Sequence, residues 1–409
     1  MEKLLFLVHR IPFPPNKGDK IRSFNLLKKL AKDYQVFLGA FIDDEQDWQH
    51  IHEVQKLCSQ CCFLPLDPLK SKVKSLKGFL HNQPLSLPYY ENSEMSKWVE
   101  GAIKDNAIER VVVFSSAMAQ YVDPEWPAHK LIDFVDVDSD KWQQYSKGKP
   151  WPMSWVYRRE GEQLLDYDRS IAKQFDSSIF VSKQEAELFK VLAPESAEKI
   201  THIENGVDTD YFDPALEHEN PYPESEQVIV FTGAMDYWAN ADAVSWFAKE
   251  VFPQILQYHL NARFYIVGAR PSELVTALER REGVHVTGSV KDIRPYLRYA
   301  ELVVAPMRIA RGVQNKVLEA MAMAKPVVVT TAAIEGIREW EEVDVVVEDD
   351  AEKMAQLIRD QLNRSQAIHP FSKENRKCIK MHYSWENNLQ RIEQLLEMNS
   401  SKAESAAVI

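Results

Sequence analysis

Ala300 to Thr330 reads AELVVAPMRIARGVQNKVLEAMAMAKPVVVT. A short β-branched run ends at Ala305 and Pro306, a helical pattern covers about Val313 to Ala324, and Lys325 and Pro326 open the next apolar run. A strand that is apolar on both faces, then a crossover helix, then another such strand is the repeating unit of a parallel sheet covered by helices on both sides. The same alternation continues in both directions. Around this stretch, Val228 to Phe231, Arg263 to Val267, Val284 to Thr287, Leu302 to Ala305, Val327 to Thr330 and Val343 to Val347 read as strands. Earlier in the chain, Leu4 to Val8, Gln35 to Phe41, Cys62 to Leu66, Val111 to Phe114, Lys130 to Val135, Ser178 to Val181 and Lys199 to Ile203 form a first series, with helical patterns such as Ser23 to Leu30 and Trp155 to Lys173 between them. Asp213 to Gln227, DPALEHENPYPESEQ, interrupts the alternation with prolines and acids and predicts a boundary or an exposed loop. The expected fold class is α/β, with two Rossmann-like halves of similar size. Halves facing each other would leave a cleft at the carboxyl ends of both sheets, where α/β proteins bind ligands.

Composition agrees with a folded chain of this kind. Among 409 residues, 45% are hydrophobic and 11% aromatic, with only 13 Gly and 21 Pro, which excludes disordered, collagen-like and linker-array proteins. The formal net charge of -12 has the wrong sign for a protein that neutralises nucleic-acid phosphates, so any anion must be caught locally and no nucleic-acid partner is expected. The amino-terminal apolar run, Leu4 to Val8, is too short for a signal-peptide core, and no run reaches the length of a membrane span. The expected location is the cytoplasm, with a peripheral place on the inner face of the membrane left open. Cys58, Cys61 and Cys62 cluster, and Cys378 precedes His382 by four residues. A zinc site can be drawn across them, but closed zinc sites carry two tight ligand pairs, and the expected metal content is none.

The opening stretch also holds the strongest candidate site. Arg308, Arg311 and the amides around Gly312 fall at the positive end of the helix, the best place to hold a diphosphate. Lys316 and Glu319, three residues apart, share a helix face. A carboxylate there can accept hydrogen bonds from both hydroxyls of a ribose, the alternative being a plain surface ion pair. A second candidate is the loop after the first strand, HRIPFPPNKGDKIRS, where Pro12, Pro14 and Pro15 stiffen the chain and Gly18 permits a tight turn or close backbone approach before a helix from Arg22 to Leu30. It reads equally as a plain strand-to-helix loop. A third is LIDFVDVDSDKW, where Asp133, Asp136, Asp138 and Asp140 crowd a strand end and would raise one another's pKa unless a cation intervenes. Asp138 or Ser139 as a helix cap, and Asp136 with Asp138 as a DxD metal motif, are the alternatives. Leu69, Val73, Leu76 and Leu80, interleaved with Lys70, Lys72, Lys74 and Lys77, spell a basic amphipathic helix suited to an anionic membrane surface, or an ordinary solvated one. Trp151, Trp155, Tyr157, Arg158 and Arg159 form an aromatic and basic cluster that fits a sugar, a lipid headgroup, or core plus rim.

RGVQNKVLEAMAMAKPVV resembles the donor-binding helix of the retaining family 4 glycosyltransferases, which have the GT-B fold. NGVD at Asn205 to Asp208 is similar to their interdomain motif, and FTGAMDYWANADAVSWF at Phe231 to Phe247 to the start of their donor domain. The resemblance covers nearly the whole chain. Through RIARGVQNKVLEAMAMAKPVV, VTGSVKDIRPYL and LIDFVDVDSDKW it is nearest to the sugar transferases of exosortase (PEP-CTERM) exopolysaccharide loci. It implies an acceptor-side domain over 1–207, a nucleotide-sugar donor domain over 208–384, a helix over 385–398 crossing back to the first domain, and a disordered tail over 399–409.

The activity implied is metal-independent transfer, with retention, from a nucleotide diphosphate sugar to a glycan or polyprenyl-linked acceptor. The nucleotide sugar is then a co-substrate and no cofactor is expected. A nucleotide-sugar-binding protein and an epimerase on the same fold are the alternatives. Gly18, Gly233, Arg308, Gly312 and Glu319 would bind the donor, while Asp136, Arg311 and Lys316 would act in catalysis, Asp136 near the place of an acceptor-side His or Asp. The chain departs from the group at Arg311, where the first of two glutamates eight apart belongs. It departs again at Ala234 and Asn240, near the places of the usual Arg and Lys.

Overall fold

The computed structural model describes residues 1–15, 17–310, 312–337, 340, 343–365 and 372–397. The chain divides into two compact units, one made of residues 1–204 with the chain from Leu389 onward, the other of Asn205–Asn388. The acidic, proline-rich segment before Gln227 lies inside the second unit, so the division falls upstream of it, at Glu204 and Asn205.

The first unit holds β1 (Glu2–Val8), β2 (Tyr34–Ile42), β3 (Gln60–Pro65), β4 (Arg110–Phe114), β5 (His129–Val135), β6 (Ser177–Phe180) and β7 (Ile200–His202), in the spatial order β3-β2-β1-β4-β5-β6-β7. Every pairing is parallel, and Leu4 stands opposite Val36 on one side and Arg110 on the other. The second unit holds β8 (Gln227–Thr232), β9 (Ala262–Val267), β10 (Val284–Gly288), β11 (Leu302–Ala305), β12 (Val327–Val329) and β13 (Val345–Val347), ordered β10-β9-β8-β11-β12-β13, again all parallel. Each sheet therefore grows outward from its first strand in one direction and then, past a switch point, in the other.

Central strands buried on both faces explain why they are written as continuous apolar runs: Leu4 through Val8 are all 0% exposed, and Val228 through Phe231 at most 1%. The helices used below are α1 (Gly18–Asp33), α2 (Pro68–Ser75), α3 (Asp138–Lys147), α4 (Met153–Gln174), α5 (Trp238–Trp246), α6 (Asn315–Ala322) and α7 (Trp385–Glu397). The helix expected over Val313 to Ala324 is shorter at both ends, because Gln314 is extended (φ -91°, ψ 102°) and Ala324 adopts a positive φ of 56°, neither of which continues an α-helix. From Leu389 the apolar side of α7 (Leu389, Ile392, Leu396) packs into the first unit, where Lys29 pairs with Glu393 and His129 Nε2 lies 2.8 Å from the Leu395 carbonyl.

Candidate nucleotide site in the second unit

The switch point of the second sheet lies between β8 and β11, and the backbone is unusually bare there. Gly233 follows β8, and Gly268 follows β9. A Cβ on Gly268 would stand 1.7 Å from the Gly233 carbonyl oxygen, so only glycine lets the two loops cross. A Cβ on Gly233 would meet Asn240 Nδ2 at 2.8 Å and Lys316 Cε at 3.4 Å. Farther along, a Cβ on Gly336 would meet the Gly312 backbone at 2.5 Å, whereas Gly312 itself faces open space.

Helix α6 begins beside these glycines. Its N-cap, Gln314, makes no side-chain capping bond, and the first backbone bonds returning to Gln314 come from Val317 and Leu318. The leading amides and the helix dipole give this end positive character, and the Gln314 side chain does not cap it. In the first turn, Lys316 Nζ donates to Asn240 Oδ1 at 2.9 Å and lies 5.3 Å from the Phe231 ring centroid. Asn240 is fixed in turn by its Nδ2 donating to the Ala234 carbonyl at 2.8 Å. Asn240, which stands near the place of a family cation, thus positions Lys316 instead. Burial pulls the Lys316 ammonium down to about 8, with Glu319 working the other way.

Glu319 lies one turn on, and no surface ion pair forms with Lys316, whose ammonium is turned to Asn240. Among the described residues no hydrogen bond reaches its carboxylate, and burial pushes the carboxyl up to about 7 against the pull of Lys316. Near it, Tyr211 stacks under the Arg294 guanidinium at 3.9 Å, and Arg294 forks onto Asp292 at 2.7 to 3.0 Å.

Arg308 differs from expectation. It is exposed and committed to Asp242 on α5 through a two-point fork, one arm of 3.0 Å, beside a groove of about 530 Å³ that includes Trp238, Trp246 and Glu250. Asp242 supplies the counter-charge that the sequence reading reserved for a ligand. Arg311 lies outside the described residues.

The remaining candidates belong to the first unit. Gly18 opens α1, but a Cβ there would meet nothing within 4 Å and its φ is not positive, so neither a tight turn nor a close approach demands glycine. Asp136 follows β5, and Lys141 on α3 reaches both Asp136 (2.7 Å) and Asp138 (3.1 Å). Asp133 turns the opposite way into a fully buried pair with Arg22 at 2.8 Å, and Arg22 also donates to the Ile203 carbonyl. Asp133, Asp136 and Asp138 are therefore divided between two protein cations, while Gln144 donates to Asp140 at 2.7 Å. Val137 is the N-cap of α3 with no side-chain bond, so neither Asp138 nor Ser139 caps it. No group of three or more His, Cys, Asp or Glu among the described residues is arranged to hold a metal, and the four cysteines are free thiols.

Residues 226–364 match the family model for glycosyl transferases group 1. The matched stretch contains Gly233, Asn240, Lys316 and Glu319. No curated protein sequence matches the chain. Solved structures match it over nearly its full length. A sucrose-phosphate synthase from Thermosynechococcus elongatus is 15% identical with a TM-score of 0.67, covering 98% of this chain and 100% of that one. A glycosyltransferase from Rickettsia africae is 16% identical with a TM-score of 0.65, covering 97% and 98%. Anabaena HepE, solved with UDP and glucose, is 14% identical with a TM-score of 0.60, covering 97% and 100%. The fold is GT-B, with two Rossmann-like α/β domains, and residues 226–364 of the second unit are similar to glycosyl transferases group 1.

Proposed function

We propose that the chain is a retaining glycosyltransferase of the family 4 group, close to the exosortase-associated enzymes. It would move a sugar from a nucleoside diphosphate donor to a glycan or polyprenyl-linked acceptor in exopolysaccharide or cell-surface glycan synthesis. The observation that carries the reading is the pairing, on one helix face, of an ammonium beside a helix start that its N-cap side chain does not cap (Lys316) with a carboxylate that no hydrogen bond from the described residues reaches (Glu319), at the switch point of a domain matching glycosyl transferases group 1. That HepE, alike in fold, was solved with UDP supports a nucleotide as the ligand. Glu319 grips the ribose hydroxyls, and Lys316 with the helix amides holds the diphosphate. As the bond from the anomeric carbon to the diphosphate breaks, negative charge grows on the leaving oxygens, and fixed positive groups stabilise that charge more than they stabilise the bound donor. Arg311 adds to this charge, and Asp136 acts on the acceptor side. The chemistry needs no metal ion, and the enzyme works in the cytoplasm. No helix among the described residues is long and apolar enough to cross a membrane.

Calorimetry with UDP, GDP and ADP tests the assignment. At least one should bind, with and without EDTA. Glu319→Ala should cost about 2–4 kcal/mol of that affinity, the range for a lost charged hydrogen-bonding group. Asp136→Asn should leave binding intact while lowering release of diphosphate from the matching nucleotide sugar. If Asp136→Asn abolished binding and Glu319→Ala spared it, the donor would belong to the first unit, and binding of none of the three would remove the reading.

A further inference from the structure

Two stretches of the first unit hold no acidic residue, in a chain where acids outnumber bases by 12: residues 68–90 and 141–159. The structure brings them side by side. Phe79 stacks on Trp155 at 5.9 Å and 11°, Arg159 lies 4.8 Å from the Phe79 ring centroid, and its guanidinium donates to the carbonyls of Gly78 (2.8 Å) and Gln83 (3.2 Å). Glu160, just past the second stretch, accepts from the backbone amides of Leu85 and Ser86 and locks the register. The basic helix expected over Leu69 to Leu80 is broken at Leu76 into α2 and a short turn, Lys77–Leu80, which leaves its apolar side chains fanned outward.

The joined stretches expose both apolar side chains and cations. Leu69, Val73, Leu76, Leu80, Trp151 and Trp155 are all exposed, Leu80 by 83% and Trp151 by 81%. Lys70 and Lys74 are engaged by Asp67 and Glu91, whereas Lys72, Lys77, Lys147, Lys149 and Arg158 have no acidic partner among the described residues. Aliphatic and indole side chains standing in water on the same two stretches as cations without acidic partners among the described residues match a bilayer whose headgroups are negative.

We propose that this face docks the first unit on an anionic phospholipid bilayer. A pocket of about 330 Å³ is lined from both stretches, by Ser75, Leu85 and Tyr89 on one side and Trp142, Tyr157 and Glu160 on the other. A membrane-borne acceptor therefore meets aromatic faces and a carboxylate without leaving the lipid surface. This last step rests on the glycosyltransferase reading above, whereas docking itself does not.

The test is co-sedimentation of the full chain with phosphatidylglycerol-containing vesicles and with pure phosphatidylcholine vesicles. Binding to the anionic vesicles alone, weakening as salt is raised, is expected. K72E/K77E/K149E and L76S/L80S/W151S should each bind more than tenfold more weakly, with thermal melts unchanged because every altered side chain is exposed. Equal binding to both vesicles, binding to neither, or wild-type affinity in both variants overturns the proposal. A wild-type dimer that the apolar variant splits in sedimentation would also overturn it, by assigning the face to a second copy of the chain. Nucleotide calorimetry on the same samples keeps the two readings apart. Vesicle binding without nucleotide binding removes the glycosyltransferase reading and leaves docking, and the reverse removes docking alone.

Discussion

The two sheets share one order over six strands but furnish their switch points in opposite ways. In the second unit, glycines strip the strand ends of side chains, so that Gly233 and Gly268 touch backbone to backbone and the start of α6 is left open. In the first unit, side chains roof the same place. His9 stacks on Phe114 at 5.8 Å, Arg10 bridges Asp19 (2.8 Å) and Asp43 (2.9 Å), and Arg22 seals Asp133. The backbone there is bent to suit, with non-glycine residues at positive φ after β4 and at the end of β5, Ser115 at 77° and the β-branched Val135 at 71°. A diphosphate is best held by amides and a dipole, which require bare backbone. A hydroxyl-bearing acceptor is best discriminated by side chains, which require the opposite. One topology is thus furnished in two ways through where it places glycine, and on the proposed reading the bare end takes the diphosphate and the roofed end the acceptor.

Substitution at the glycine crossing should break the contrast most strongly. Gly268→Ala is expected to destabilise the protein by about 4 kcal/mol or more, since two backbones must part to admit the Cβ, whereas Gly18→Ala should stay within about 0.5 kcal/mol. Denaturant titrations of both variants measure this, and similar values would dissolve the distinction. Next in size, Asp133→Ala in the first unit strands the buried Arg22 charge and should cost about 3–5 kcal/mol in the same titration. A near-neutral result would show that the pair does not hold that strand end together. The smallest effect is on pH. On the proposed reading, nucleotide binding needs Glu319 ionised and Lys316 protonated. Affinity should therefore rise as pH climbs through about 7, where Glu319 loses its proton, and fall above about 8, where Lys316 loses its own. Calorimetry from pH 6 to 9 should give a narrow maximum that Glu319→Gln flattens on the acid side, and a curve level across that range would exclude both groups from the site.

Much of this architecture was legible in the chain. Every apolar run read as a strand has a counterpart in the two sheets, because strands buried on both faces are written without interruption. Lys316 and Glu319 were legible for a similar reason, since a spacing of three places them on one helix face. Partnerships across the sheet were not. Asn240 meets Lys316 across 76 positions, Arg308 meets Asp242 across 66, and Arg22 meets Asp133 across 111, and no local pattern records such distances. Lys141 could have been found, as it stands three residues after Asp138 at helical spacing. The acidic run therefore overstated mutual repulsion, because Arg22 and Lys141 had yet to be placed.

Helix α7 has a consequence for how the protein is made. The first unit is complete only when Leu389, Ile392 and Leu396 pack into it, yet the rest of that unit ends at Glu204. At a synthesis rate of about 5–20 residues per second, the remaining wait is roughly 10–40 s. During that interval the nascent first unit lacks the packing of Leu389, Ile392 and Leu396 and the polar contacts at His129 and Lys29, while the second unit is contiguous from Asn205 to Asn388. The half that is translated last is thus positioned to reach its native state first, and the opening half stays dependent on the closing helix.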